Sequence, residues 1–591
     1  MLALFVVMPL IIAAFIALLG NELPEPIKYI ALVASLISLA LVLVVGFNAA
    51  SSQSTTWFYL IWYQFQITTS TAPLNMLLLL IVAVMTPLVI TYSIGFMRVP
   101  SEQSRYYFET CIFAAAMMLF AIAGDFITML MGWGLLSLAS YLLIGFWHGK
   151  DGASSAARKA VTVALIGDVL MMIAVVMVWD LYHTFSFAAI ISAPAAPAAW
   201  LPLLFVLIAA FAKSAQFPFN EWLPDAMEGP TPTSAFLHSS TMVKAGVFVV
   251  AVLLPLFAKL HLLNVILFVG IVTTIIGVTN ALTETRIKRI LAYSTIEDLG
   301  LMFIALGLNA VVAAMMLFVV QTFYKSLLFM SAGAIMKAND DEDRIDLVQS
   351  GAAGKPLLIA TVIGVLSIAG IFPLSGFFGK ASVYASAATD MPVYLVLLAV
   401  GFASSVYIFR WLLLPLKKPA AQQSRKTANF SFIPMQMLLP IYVLAALVVG
   451  ASLACLRLPS YLSAYGQAAP LSLIGIAAET IVAVLGIAVA YVYFKRGAKK
   501  TFANRLAQEL FYNGVFVNAF YASVAGLVVA ASSAVDALDY ELYRFVKMLA
   551  GAVLGFAEML RHVENGQANS YMLVFLLGIL AMVIIFAVVM L

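Results

Sequence analysis

Apolar runs of roughly 20 residues, parted by short polar breaks, recur along the whole chain. They fall near 1–20, 28–48, 73–95, 106–122, 126–147, 160–180, 201–217, 231–257, 262–282, 290–308, 311–336, 357–388, 392–415, 431–454, 471–494 and 570–591. This pattern predicts an all-α polytopic membrane bundle of about 16 spans. Basic residues gather on alternate loops: Arg98 to Arg105, Lys150 to Lys159, Arg286 to Arg289, Lys337 to Lys355, Lys417 to Lys426 and Lys495 to Arg505. The intervening loops carry Lys259 and Arg457. The positive-inside bias then puts the N-terminus outside and the loop at 495–505 in the cytoplasm.

Three segments depart from simple spans. Residues 49–72 are rich in Thr, aromatic and β-branched residues and predict an external strand pair over the bundle. Two spans are interrupted beside a lysine: Lys213 is followed by Pro218, Pro224, Pro230 and Pro232, and Lys380 is preceded by Pro373 and Gly376. Broken helices at membrane depth persist only where they are buried or line a wet cavity, and paired breaks mark transporters with inverted repeats. The stretch 501–569 is long, helix-forming and amphipathic, and predicts a lateral helix on the cytoplasmic surface, followed by a terminal anchor at 570–591.

The composition fits no soluble class: of 591 residues, 64% are hydrophobic and 10% charged. The net charge of +4 is parcelled among short loops and points to no nucleic-acid partner. Cys111 and Cys455 stand alone, so neither a disulfide framework nor an iron–sulfur site is expected. His148, His183, His238, His261 and His562 share no ligand spacing, so no metal is expected. No Gly-rich loop follows a strand, and no cofactor or redox centre is expected in this chain. The first 20 residues lack a basic n-region and are read as a span, not a removed signal.

The informative chemistry is four lysines inside apolar spans: Lys213, Lys244, Lys325 and Lys380. An ammonium in hydrocarbon costs about 3 kcal/mol on insertion scales. One such residue could snorkel to the interface. Four along one chain call for a polar path through the interior, and an amine can load and release a proton. Proton or cation translocation is the leading reading.

The run FAKSAQFPFNEWLPDAMEGPTPTSAFLHSSTMVKAGVF resembles the core of antiporter-like complex I subunits, as do GDFITMLMGWGLLSLASYLLIGFW, IKRILAYSTIEDLGLMFIALG, FYKSLLFMSAG and GIFPLSGFFGK. The resemblance is dense over residues 73–390. The tail resembles that of the NADH–quinone oxidoreductase subunit L (subunit 5) family, with Mrp antiporter and membrane-bound hydrogenase subunits related. It implies an order of 1–105 N-terminal spans, 106–257 and 258–415 as two antiporter-like repeats, 416–500 C-terminal spans, 501–569 lateral helix and 570–591 anchor. It also implies a prokaryotic cytoplasmic membrane, partner membrane subunits, and protons or Na+ as cargo. By resemblance, Lys213 and Lys380 match the broken-helix lysines, Lys325 the central lysine of the second half-channel and Lys244 a connecting lysine. His238 matches a relay histidine, Asp168 a membrane aspartate after the first half-channel, and Asp125 the acid before the glutamate motif.

The chain also departs from that family. Gly134 stands where the family has the glutamate that pairs with the first broken-helix lysine, and Leu165 replaces a nearby arginine. Leu317 and Gln321 replace two histidines upstream of Lys325. Ala381 replaces an acid after Lys380, and Glu297 and Asp298 occupy a normally uncharged pair of positions. Lys213 therefore lacks its usual counter-charge unless Asp168 or Asp125 comes within about 6 Å. The residues keep plainer readings too: Lys244 and Asp168 as structural ties, His238 as a hydrogen-bonded core histidine, Glu297 and Asp298 facing a wet vestibule near 283–289. Glu479 reads as a packing contact or a conducting group. Three function classes stay open: an energy-coupling subunit of a redox complex, a cation/proton antiporter, and a structural arm with an impaired channel.

Overall fold

A computed structural model describes residues 5–19, 24–47, 52–60, 63–97, 100–194, 196–348, 354–416 and 433–495, together with Arg544, Lys547, Met548 and Gly551. Its contacts divide the chain into a unit at 1–515 and a unit at 516–591; in the second, the four described residues are helical. The expected lateral helix and terminal anchor otherwise lie outside the described residues.

The first unit is a helix bundle. Among the described residues, eleven helices are long and apolar enough to cross a bilayer, and three shorter apolar helices join them. Their lipid-side positions are large and apolar, such as Leu165, Val169, Met172 and Val176 along the helix Asp151–Tyr182, while small residues line the buried face at Ala156, Ala160 and Ala164. That one-sided distribution is how a helix sits between protein and hydrocarbon.

The strand pair is present as Ser52–Leu60 and Tyr63–Ser70, antiparallel, with Ser52 opposite Ser70. It is fastened to the bundle. The Ser70 amide donates to Ile122 O at 2.8 Å, and the Gly124 amide donates to Thr68 O at 2.8 Å. Asp125 completes the joint as N-cap of the helix Phe126–Ile144, accepting from the Thr128 amide at 2.6 Å and the Thr68 amide at 2.6 Å.

Both predicted breaks are observed. The helix Trp200–Lys213 stops at Lys213, and Ala215 takes a positive φ of 49°. The Trp222 indole donates to Ala212 O at 3.1 Å, which satisfies one carbonyl that the break frees. The second break separates Lys355–Ile368 from Ser375–Ser386, with Gly370 at φ 73°. There the Gly376 amide donates to the Ser367 hydroxyl at 3.0 Å. A Cβ on Gly376 would lie 1.8 Å from Ser367 O. Gly376→Ala is therefore expected to cost about 1–3 kcal/mol by overpacking, read as a lower unfolding temperature in detergent.

The structure adds a third discontinuity that the sequence pattern does not show. The run 231–257 is two helices, Thr231–Ser239 and Met242–Lys259, jointed at Ser240 and Thr241. The Thr241 hydroxyl donates to Phe236 O at 2.6 Å, so the joint leaves that carbonyl paired. Hydroxyls can end a helix this way without proline.

The centre of the unit is the helix Ile287–Gly307, in which every residue but Arg289 is buried. It lies close against Leu263–Thr283: a Cβ on Gly277 would stand 2.5 Å from the Glu297 amide nitrogen. Small residues let two membrane helices approach in this way. Arg410, fully buried, closes the end of Leu263–Thr283 by donating to Leu282 O at 2.7 Å, to Ala281 O at 3.1 Å and to Glu284 O. A cation that satisfies the last carbonyls of a helix is favourable there.

Candidate functional site

The four lysines all point into the protein, and none is more than 4% exposed as a residue. They differ in what they meet. Lys213 ends its half-helix against Phe126–Ile144. Its ammonium donates to Trp133 O at 3.1 Å and to the Ser137 hydroxyl, lies 4.5 Å from the Trp133 ring centre, and contacts Asp168 Oδ1 at 3.2 Å. The Trp133 indole holds the same Asp168 oxygen at 2.6 Å. This corrects the expectation that Lys213 has lost its partner. The acid comes from Asp151–Tyr182, the helix packed against both.

The two departures noted around this lysine face outward. Gly134 is exposed, and a Cβ there would meet nothing within 4 Å; Leu165 is exposed as well. Asp125, by contrast, spends its carboxylate on Thr68 and Thr128 as described, so it positions the hairpin and the helix start.

Lys244 has a different environment. It donates to Phe318 O at 2.6 Å and to the Thr322 hydroxyl, with the Phe318 ring centre 4.5 Å away. Among the described residues it has no carboxylate within ion-pair distance. His238, across the Ser240–Thr241 joint, is fully buried. Neither ring nitrogen has a hydrogen-bond partner among the described residues, against the expectation of a hydrogen-bonded core histidine. Its ring lies 6.0 Å from that of Trp222.

The helix Val311–Lys337 presents Phe318, Thr322 and Lys325 on one face, at helical spacing. It thus carries both the partners of Lys244 and the next lysine. Lys325 contacts Asp298 Oδ2 at 3.1 Å and donates to the Ser294 hydroxyl. The same Asp298 oxygen accepts from Tyr324 at 3.0 Å. Gln321, one turn before Lys325, has neither amide atom paired among the described residues.

Glu297 and Asp298 do not face a vestibule. They are 0% and 1% exposed and sit at the middle of the bundle. Adjacent helical residues point in different directions, and here each serves a different lysine. Asp298 turns to Lys325. Glu297 turns to Lys380 at 3.5 Å and accepts from Tyr407 at 2.6 Å and from the Ser404 hydroxyl. The row Lys244, Lys325, Asp298, Glu297, Lys380 therefore runs through three helices and the second broken one. In each lysine–carboxylate pair, transfer of a proton turns an ion pair into a neutral pair. The local charge pattern then changes without any net loss of charge, and the next pair along feels that change in a low-dielectric interior.

At the end of the bundle that carries the basic loops, a cavity of about 410 Å³ is lined by Lys150, Glu228, Arg286, Lys288, Lys337 and Asp343. Burial raises the Asp343 carboxyl above the usual carboxylate range, against the opposing pull of Arg286.

Sequence reasoning did not find Trp133, Ser137, Ser294, Thr322, Ser404, Tyr407 and Arg410. A hydroxyl or aromatic polar tip one or two turns from an acid or lysine, within an apolar helix, was the available signal. It is weak because such residues also bond their own helix carbonyls, as Ser404 does with Val400 O at 2.8 Å.

Residues 123–406 match the transmembrane domain model of the NADH:quinone oxidoreductase/Mrp antiporter family. The chain is thus a multi-pass membrane protein with an antiporter-like core. It is similar to NADH-quinone oxidoreductase subunit L of Campylobacter jejuni, 33% identical over 383 residues that cover 63% of this chain and 64% of that one. It is also similar to subunit L of Buchnera aphidicola, 36% identical over 331 residues, 54% of each chain. The chain therefore spans less than two thirds of the length of these relatives. A chloroplast NAD(P)H-quinone oxidoreductase subunit 5 from Chara vulgaris is 29% identical over 566 residues, 86% of this chain and 84% of that one. The solved Mrp complex of Dietzia sp. DQ12-45-1b contains a chain of the same fold, with a TM-score of 0.77 at 22% identity, over 100% of this chain and 63% of that one.

Proposed function

We propose that this chain is an L-like membrane subunit of a complex I-type NADH-quinone oxidoreductase, and that it couples electron transfer elsewhere in the assembly to proton movement along its buried lysines. The observation that carries the reading is the row of lysines and carboxylates through the middle of the bundle, with Asp298 serving Lys325 and Glu297 serving Lys380. Lys213 and Asp168 form a separate pair in the first half, which favours an active first half over a retired one. Protons are the cargo by this reading, and Na+ is the variant that a sodium-dependence test would reveal. Isolation of the native assembly tests the partners: co-purification with hydrophilic iron–sulfur subunits supports the reading, and their absence refutes it.

A cation/proton antiporter of the Mrp type is the second reading, favoured by the shared fold over the whole chain. It predicts an assembly of membrane subunits alone. By the first reading, the tail 501–591 clamps neighbouring subunits from the cytoplasmic side of a prokaryotic inner membrane.

The orientation follows from the basic loops. With Leu60→Cys and Ala498→Cys variants in intact cells, an impermeant thiol reagent is expected to label only the first. Labelling of the second from outside would reverse the assignment.

A further inference from the structure

Lys380 contacts Glu297 at 3.5 Å and also lines a cavity. The cavity is about 20 Å³ and is lined by Lys380, Tyr384, Gly370, Gly401 and Glu479. A single water needs on the order of 10–15 Å³ measured in this way, with two or more polar partners. The volume is sufficient, and Lys380, Tyr384 and Glu479 are polar side chains of its lining.

Glu479 belongs to the helix Leu473–Lys495, where it is the lone acid among apolar residues. Its direction is fixed by that helix's packing. Ala483 and Gly486 follow it at one and two turns, on the same face. Ala483 is 5% exposed, and a Cβ on Gly486 would lie 2.6 Å from Phe402 O, so this stripe is pressed against Met391–Leu413. Glu479 therefore looks into the protein. The helix that carries Lys380, Ser375–Ser386, has no acid of its own. The Tyr384 hydroxyl is buried and has no hydrogen-bond partner among the described residues. An acid in hydrocarbon is costly, and an inward-facing one in a membrane helix points to a functional contact.

We propose that Glu479 receives the proton of Lys380 through this water-sized cavity, so that the second half of the path ends on the helix Leu473–Lys495. This rests on the proton-carrying reading given above. The step balances: the Lys380 ammonium gives its proton to the intervening water, and that water gives a proton to the Glu479 carboxylate. A neutral amine and a neutral carboxylic acid remain. Tyr384 orients the water, and Glu297 stays as the donor-side partner of Lys380.

The test uses the whole assembly in membrane vesicles, with proton transport followed by a pH-sensitive dye under an imposed membrane potential and Lys325→Ala as a reference. Glu479→Gln keeps the shape but cannot accept the proton as an acid. It is expected to lower transport at least about tenfold, while Glu479→Asp retains most of it. Gly401→Ala leaves the carboxylate intact but sets a Cβ 2.6 Å from the Tyr384 oxygen in the cavity wall, so the phenol must move; it is expected to lower transport as well. Full transport in Glu479→Gln with loss in Lys325→Ala overturns the proposal and leaves the function standing. Full transport in both overturns the function and the proposal with it. If Glu479→Gln does not accumulate in the membrane, Gly401→Ala decides: lost transport supports the cavity route, and full transport overturns it.

Discussion

Lys325→Ala is expected to cut proton transport by about a hundredfold, the scale on which removal of a positioned proton carrier acts. Lys325 is the middle lysine of the row, and Asp298 sits 3.1 Å from it. Removing the ammonium strands a carboxylate that is 1% exposed. Breaking a buried pair in this way costs about 3–5 kcal/mol, reduced to the extent that Asp298 takes up a proton instead. The variant should therefore lose thermal stability in detergent as well as transport. Adding Asp298→Asn separates the two effects. The double variant should regain stability and stay inactive. Wild-type transport in Lys325→Ala would make the chain a structural arm.

Asp168→Asn is expected to have the second largest effect. Asp168 is the acid in contact with Lys213, at 3.2 Å, and the Trp133 indole holds it in place. With the amide in its place, Lys213 keeps Trp133 O and the Ser137 hydroxyl but no anion. A buried ammonium without its counter-charge costs about 3–5 kcal/mol, or it gives up its proton. Either result removes the first half as a proton store. The expected readout is a several-fold loss of transport, with assembly measured on native gels to separate a folding defect. Unchanged transport would assign Asp168 a tying role between two helices. Gly134→Glu offers a contrast: the site is exposed and open, so the substitution should be accepted without a clash.

The helical bundle, both lysine-side breaks and the strand pair were legible in the chain, because each rests on a local signal: a hydropathy run, a proline beside a lysine, or a β-branched stretch between spans. The joint at Ser240–Thr241 was not, because hydroxyls that bond back to Phe236 O leave the hydropathy run intact. The lysines were found one by one, and Asp168 stood as one of two candidate counter-charges for Lys213, but the acids of Lys325 and Lys380 were not foreseen. Asp168 lies 45 residues from Lys213 in sequence, and only the packing of two helices unites them. Glu297 and Asp298 were misplaced for a similar reason. A proximity to the basic loop 283–289 in sequence suggested water, whereas the helix enters the bundle at once and, but for Arg289, is buried from Ile287 onward. Arg410 was missed because it lies inside the span 392–415, and its partners are backbone carbonyls that only the packing brings to it.

The burial of Ile287–Gly307 has a consequence for biogenesis. Its two carboxylates are synthesised before either of the lysines that neutralise them, since Lys325 and Lys380 lie on later helices. An aspartate at a helix centre costs about 2.5–3.5 kcal/mol on leaving the translocon. Until the next helices arrive, this segment is a poor passenger in lipid. It is best retained beside the insertion machinery with Leu263–Thr283, the glycine-lined neighbour made just before it. The nascent chain thus carries a debt of charge that only later translation settles, and the order of the helices in the gene becomes part of how the bundle is put together.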